Sequence, residues 1–219
     1  MKRLSTGCIL LACVCWSFSG LLTRLIPWNA LTIAGARALV AAVFLGLARR
    51  DFRPANTFGN WLGAFGVMAT SVLFILANKY TSAANAIVLQ YAMPVVVILF
   101  EAVVRKKRPS KLDVAGVAVI LAGVVLCFLE GLTPEGMLGN ALALGAAFTF
   151  AIVYLAARRP DCDALSYSYQ GNLATAVLAL YLPFDPGASA EATPFLAALG
   201  MGVALTLGYL FFSIGMKRG

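Results

Sequence analysis

The chain has 219 residues, of which 61% are apolar and 12% are charged, and it contains no His. Soluble domains contain about 45–50% apolar and about 25% charged residues, so this composition excludes a water-soluble globule, a disordered chain and a disulfide scaffold. The class that remains is an integral membrane protein, with the lipid bilayer as its first partner.

The net charge of +8 does not predict a nucleic-acid partner. Its 17 Lys and Arg residues stand mostly in short clusters between apolar runs, rather than along one amphipathic face. Four of the five Cys residues lie inside apolar runs, which favours packing over a disulfide framework or a metal site. No metal and no cofactor is predicted.

Eight apolar runs, bounded by charges, Pro or Asn, are long enough to cross a bilayer core, which needs ~20 helical residues. They predict an all-α integral membrane protein with eight transmembrane helices. The runs extend approximately from Leu4 to Ile26, Asn29 to Ala48, Phe58 to Ala77, Ser82 to Val104, Leu112 to Leu129, Met137 to Ala157, Ala164 to Pro183, and Thr193 to Met216. The first run is too long for the apolar region of a cleavable signal peptide.

The charges of the connectors alternate along the chain and predict the orientation of the spans. Fourteen basic residues fall on one side: Lys2, Arg3, Arg49, Arg50, Arg53, Arg105, Lys106, Lys107, Arg108, Lys111, Arg158, Arg159, Lys217 and Arg218. The opposite side has Lys79 and four acidic residues. The positive-inside rule therefore predicts a multi-pass protein of the cytoplasmic membrane with both termini in the cytoplasm.

A weak internal repeat has an offset near 132 residues. Trp-Ser-Phe at 16–18 matches Phe-Thr-Phe at 148–150, and FILANKY at 74–80 resembles FFSIGMKR at 211–218. The shared order predicts a first repeat of five helices over residues 1–130 and an incomplete second repeat over residues 131–219. Consecutive five-helix copies have opposite orientations, which is a common architecture of secondary transporters.

Four stretches resemble the EamA-type transporters of the drug/metabolite transporter superfamily. They are WSFSG at 16–20, GARALVAA at 35–42, KYTSAANAIVLQYAMPV at 79–95 and AGVAVILAGVVL at 115–126. The resemblance implies two inverted five-helix repeats and export of a small metabolite or drug-like solute by alternating access. The chain departs from the family pattern at Lys107, where an acidic residue is common, and comparison with the ten-helix family pattern leads us to expect that the last two helices are missing.

The fourth span is the best candidate for a solute site at the membrane midplane. Pro94 cannot donate to the carbonyl oxygen of Gln90, so we expect a helix break there. The Gln90 amide, the neighbouring Tyr91 hydroxyl and the Asn85 side chain would then be available to a solute. The alternative for Gln90 is a hydrogen bond that joins two helices.

Charged residues within spans need partners, because their burial in a bilayer costs several kcal/mol. Arg37 is the one deeply placed cation, and it would contact either the solute or a freed carbonyl group. Glu101 and Arg105 are four residues apart near the cytoplasmic end of the fourth span, which predicts an ion pair or a proton-coupling carboxylate.

Aromatic and hydroxyl side chains on other spans complete the predicted solute site. They are Trp16 and Ser19 in the first span, Tyr154 in the sixth and Tyr209 in the eighth. Two glycine pairs, Gly59 with Gly63 and Gly116 with Gly123, are expected to allow close helix packing.

The leading hypothesis is therefore a small-solute carrier. The alternative is a truncated or degenerate transporter that is inactive alone or needs a partner, which includes self-association, to complete the bundle. An enzyme is not expected, because no catalytic dyad, metal cluster or phosphate-binding loop is visible, and no catalytic residue is assigned.

Overall fold

The computed structural model describes residues 2–23, 25–106, 108–130, 133–188 and 191–218, so Lys107 lies outside the described residues. Within these ranges every regular element is helical. The elements are α1 (Lys2–Thr23), α2 (Ala30–Arg49), α3 (Phe58–Tyr80), α4 (Ala83–Gln90), α5 (Met93–Val103), α6 (Lys111–Glu130), α7 (Pro134–Ala157), α8 (Ala164–Ala176), the 3₁₀ helix (Val177–Phe184) and α9 (Ala192–Arg218).

Seven stretches of the described residues are long and apolar enough to cross a membrane. They are Leu4–Thr23, Ala30–Arg49, Phe58–Tyr80, Ala83–Val103, Lys111–Leu129, Pro134–Ala157 and Ala192–Met216. The prediction of an all-α, multi-pass membrane protein is confirmed.

The seventh predicted span has an unusual form, because α8 has only 13 residues and continues as the eight-residue 3₁₀ helix. The two segments together rise about 35 Å, since a 3₁₀ helix gains more length per residue than an α-helix. That length is sufficient for a bilayer core of about 30 Å. The polar sequence SYSYQGN of α8 is almost entirely buried between neighbouring helices.

Most contacts between helices join the first half of the chain to the second half. α1 packs along α9, and α3 packs along α7, while α2 contacts α8, α9 and the 3₁₀ helix. The connectors after α2, α5 and α7 meet at one end of the bundle, which we call the basic end. The connectors after α1, α3 and the 3₁₀ helix meet at the other, acidic end, where the backbone N–H of Asn29 donates to Asp185 Oδ2 at 2.7 Å.

Two clusters of buried apolar side chains lie at different depths. One, with Ile26, Trp28 and Met201, lies toward the acidic end. The other, with Leu45 and Phe212, lies toward the basic end. Packed apolar side chains therefore lie on both sides of the mid-depth of the bundle.

The two glycine pairs have different surroundings. A Cβ atom on Gly63 would lie 2.6 Å from the ring of Tyr167, so this position requires glycine for close packing of α3 on α8. At Gly116 and Gly123 a Cβ atom would meet no described atom within 4 Å. The expectation of close packing at this second pair was wrong, because α6 lies at the periphery and exposes most of its surface.

Candidate functional site

A cavity of about 50 Å³ lies at mid-depth between the two clusters. It is bordered by α1, α2, α3, α4, α7 and α9. Its lining residues are Trp16, Ser17, Ser19, Arg37, Val67, Thr70, Ser71, Phe74, Ile87, Gln90, Tyr91, Phe150, Val153, Leu205 and Tyr209.

The Arg37 guanidinium is held between three helices. Its Nη1 atom donates to Ser19 Oγ of α1 at 2.5 Å, and its Nη2 atom donates to Ser71 Oγ of α3 at 2.9 Å. The residue is only 3% exposed, and no carboxylate of the described residues lies within ion-pair distance of it. Neutral hydroxyl groups therefore accept hydrogen bonds from the buried Arg37 guanidinium, but no negative charge of the described residues compensates its positive charge.

The fourth span is interrupted beside the cavity. α4 ends at Gln90, and α5 begins at Met93 with Pro94 in its first turn, where a missing N–H costs no hydrogen bond. The Ala92 N–H donates to the carbonyl oxygen of Leu89, three residues back, which tightens the chain at the break. This interruption is located where Gln90 and Tyr91 line the cavity.

The indole ring of Trp16 is the centre of an aromatic wall. Its centroid lies 5.6 Å from that of Phe150 and 5.5 Å from that of Tyr209, both in edge-to-face geometry. A third ring, Phe212, lies 5.8 Å away. Gly208 makes room for the indole, because a Cβ atom there would lie 2.2 Å from Trp16 Nε1. The wall offers rigid apolar surface to a ring-bearing solute.

Three lining residues each have one buried polar atom without a hydrogen-bond partner in the described part of the chain. Two are donors, Trp16 Nε1 and Arg37 Nε, and the third is an acceptor, Gln90 Oε1. Such atoms are costly in an apolar interior unless a ligand or water satisfies them. Together they suit a small molecule that has both a hydrogen-bond acceptor and a hydrogen-bond donor.

The sequence profile of the EamA-like transporter family matches residues 5–129, which is more than half of the chain. The chain belongs to the EamA-like transporter family. This membership confirms the resemblance that the sequence motifs indicated.

Two further comparisons agree with this EamA-like transporter fold. The chain is 27% identical over 197 residues to the aromatic amino acid exporter YddG of Ancylobacter novellus, and the match covers 86% of this chain and 68% of the relative. A solved crystal structure superposes with a TM-score of 0.73 at 24% identity, covering 100% of this chain and 81% of the other. The second similarity concerns the fold alone.

Most of the residues predicted for the solute site of this EamA-like transporter meet at the cavity. Those that line it are Trp16, Ser19, Arg37, Gln90, Tyr91 and Tyr209. Asn85 is not among the lining residues, because its amide donates to the carbonyl oxygen of Cys127 in α6 at 3.2 Å. Tyr154 lies nearer the basic end, with the Arg158 guanidinium 5.8 Å from its ring centroid.

Glu101 pairs across the bundle as well as along its own helix. Its Oε1 atom accepts a hydrogen bond from Nη1 of Arg158, which follows α7, and the Nη1 atom of Arg105 lies 3.9 Å from it. Sequence spacing identified Arg105 but not Arg158, because the latter is 57 residues away. Among the described residues, the carboxylate therefore has basic neighbours from two different elements.

The sequence analysis missed three hydroxyl groups of the site, those of Ser17, Thr70 and Ser71. Thr70 and Ser71 are adjacent polar residues in the middle of an apolar run. That interruption was an available signal, because polar residues at the centre of a membrane helix usually face the bundle interior.

Proposed function

We propose that this EamA-like transporter exports a small solute with a carboxylate and an aromatic ring, with aromatic amino acids as the first candidates. The observation that carries the proposal is the buried, uncompensated Arg37 guanidinium beside the Trp16 aromatic wall. The name of the Ancylobacter novellus relative, an aromatic amino acid exporter, supports the same substrate class.

Each part of such a solute has a complementary group in the cavity. A carboxylate would accept charge-assisted hydrogen bonds from the Arg37 and Trp16 donors. An ammonium group would donate to Gln90 Oε1, for which the described part of the chain supplies no hydrogen-bond partner. An aromatic side chain would pack against the wall formed by Trp16, Phe150 and Tyr209.

The size of the cavity supports a mechanism of alternating access. At about 50 Å³ it is much smaller than an engineered cavity of about 150 Å³ that holds benzene. An aromatic solute therefore requires the bundle to widen. Widening and closing of the bundle around this cavity is the motion that alternating access requires.

The helix packing supports the inverted repeat that the sequence predicts over residues 1–130 and 131–219. Exchange of α1 with α7 and of α3 with α9 converts the α1–α9 contact into the α7–α3 contact, and both are extensive. When α2 is also exchanged with α8, the α2–α9 contact becomes the α8–α3 contact, and both are present. We place the basic end in the cytoplasm, together with both termini, in the cytoplasmic membrane.

Transport by the purified protein in liposomes tests the proposal. We expect exchange of radiolabelled phenylalanine, with phenethylamine, which lacks the carboxylate, as the comparison solute. Arg37→Gln should reduce phenylalanine exchange by about ten-fold or more, because a charge-assisted hydrogen bond is lost, and should affect phenethylamine little. Arg53→Gln, an exposed change in the connector after α2, is the matched control.

Two results would contradict the proposal. Wild-type liposomes that exchange a broad panel of amino acids no faster than protein-free liposomes would refute transport of this class. Equal loss of phenylalanine and phenethylamine exchange in a folded Arg37→Gln protein would refute the assignment of the carboxylate to Arg37.

A further inference from the structure

The helix α5 is attached to the rest of the bundle over a small area. Only Val95 and Val97 of its 11 residues are buried, and Leu99 and Val103 are more than half exposed. Its backbone is separated from α4 by the interruption at residues 91 and 92. Because of these features α5 could move relative to α4, and the pivot of that movement would be the interruption at residues 91 and 92, directly beside the cavity.

An ion pair holds the C-terminal end of α5, which is the end farther from the interruption. The side chain of Glu101 is 14% exposed, and it pairs with Arg158 immediately after the last residue of α7. Arg105, at 52% exposure and 3.9 Å, is the more distant and more solvated partner. A carboxylate that is largely removed from water interacts more strongly with a close guanidinium than with a remote, exposed one.

We propose that Glu101 and Arg158 form a latch that holds α5 against α7, and that its release lets α5 pivot at residues 90–93 and open the cavity at the basic end. The role of this opening in solute entry rests on the proposed function. The latch itself can be tested without any solute.

The accessibility of the native Cys13 thiol can be used to detect movement of α5 at the pivot. Tyr91 and Ser17 of α1 both line the cavity, and Cys13 of α1 is a further neighbour of the Tyr91 side chain, so the pivot lies beside α1. Cys13 lies one helical turn from Ser17, on the side of the basic end. The Cys13 thiol is half-buried, and a movement of α5 that shifts Tyr91 away from α1 would expose this thiol further.

The test uses the protein in lipid nanodiscs, where both ends are accessible, with Cys8, Cys15, Cys127 and Cys162 replaced by Ala. The rate at which a charged maleimide modifies Cys13 is measured in the latch variants. We expect Glu101→Gln and Arg158→Gln to raise this rate by about five-fold, the effect of losing one ion pair of this type. Arg158→Lys keeps the charge and should remain within about two-fold of the parent.

The matched control is Arg105→Gln, which removes the second basic neighbour of Glu101 and should leave the rate within about two-fold. An unchanged rate in both Glu101→Gln and Arg158→Gln would overturn the latch, as would an equal increase in Arg105→Gln. Phenylalanine exchange by the same proteins is recorded separately. If phenylalanine exchange is normal and the rate of Cys13 labelling is unchanged in the latch variants, the latch alone is refuted. If Cys13 is labelled faster in the latch variants but neither the parent nor any variant exchanges phenylalanine, the proposed function alone is refuted.

Discussion

The Arg37 guanidinium on α2 donates to the Ser71 hydroxyl on α3 at 2.9 Å, across the wall of the cavity. A hydrogen bond from a charged donor contributes about 1.5–3 kcal/mol, so Ser71→Ala should lower the unfolding temperature and weaken phenylalanine binding. Scanning fluorimetry and equilibrium binding measure the two effects. Ser168→Ala, whose buried hydroxyl donates only within its own helix to Ala164, is the control for stability and should leave binding unchanged.

Glycine at position 208 is required by the Trp16 indole. In Gly208→Ala the new Cβ atom would lie 2.2 Å from Trp16 Nε1, so the aromatic wall must shift, and we expect a loss of about 1–3 kcal/mol in stability. Gly116→Ala on α6 has open space and should be neutral or stabilising by up to about 1 kcal/mol. Similar unfolding temperatures for the two variants would contradict this description of the wall.

Asp185 should make the stability of the acidic end depend on pH. Burial alone would raise the pKa of its carboxyl, but hydrogen bonds, including those from the Asn29 and Gly187 backbone, and the charge of Lys79 lower it below the usual 3.8. A carboxyl with a depressed pKa stabilises the fold above its unfolded pKa, and the contribution is lost as the pH falls through the folded value.

The expected result is that wild-type protein loses more stability than Asp185→Asn when the pH is lowered from 6 to about 3. Asp161, at the basic end, contributes in the same pH range, because the Arg159 guanidinium and the Gly59 N–H lower its pKa. It is present in both proteins, so the difference between them isolates Asp185. Parallel unfolding curves for the two proteins would show that the Asn29 contact is dispensable.

Asn85 and Asn140 both donate to the carbonyl oxygen of Cys127, at 3.2 and 3.0 Å, and thereby join α6 to α4 and α7. Asn85→Ala should therefore speed hydrogen exchange in α6 while changing phenylalanine affinity less than two-fold. A large loss of affinity with unchanged exchange would instead support the sequence-based prediction that Asn85 binds the solute.

Local features of the sequence predicted the spans well, because the length of an apolar run reflects bilayer thickness directly. The break in the fourth span was also readable, since Pro94 cannot continue a helix with full hydrogen bonding. The sequence did not predict that α8 is short, continues as a 3₁₀ helix and buries its polar residues. Its polar residues are buried because neighbouring helices cover them, which is a tertiary effect.

Contacts between residues that are far apart in the chain could not be predicted from the sequence either, because they also depend on tertiary packing. Nothing in the residues near Glu101 indicates Arg158, because their contact depends on how α5 packs against α7. Ser71 could be recognised as an unusual polar residue in a span, but its contact with Arg37 depends on the packing of α2 against α3.

The burial of α8 also has a consequence for biogenesis. A segment with the sequence SYSYQGN is a poor substrate for independent insertion by the translocon, because polar side chains oppose partitioning into lipid. In the folded chain α2 and α3, which are synthesised earlier, cover this segment. We therefore expect membrane insertion of α8 to depend on prior placement of α2 and α3, so that the order of synthesis would matter for folding.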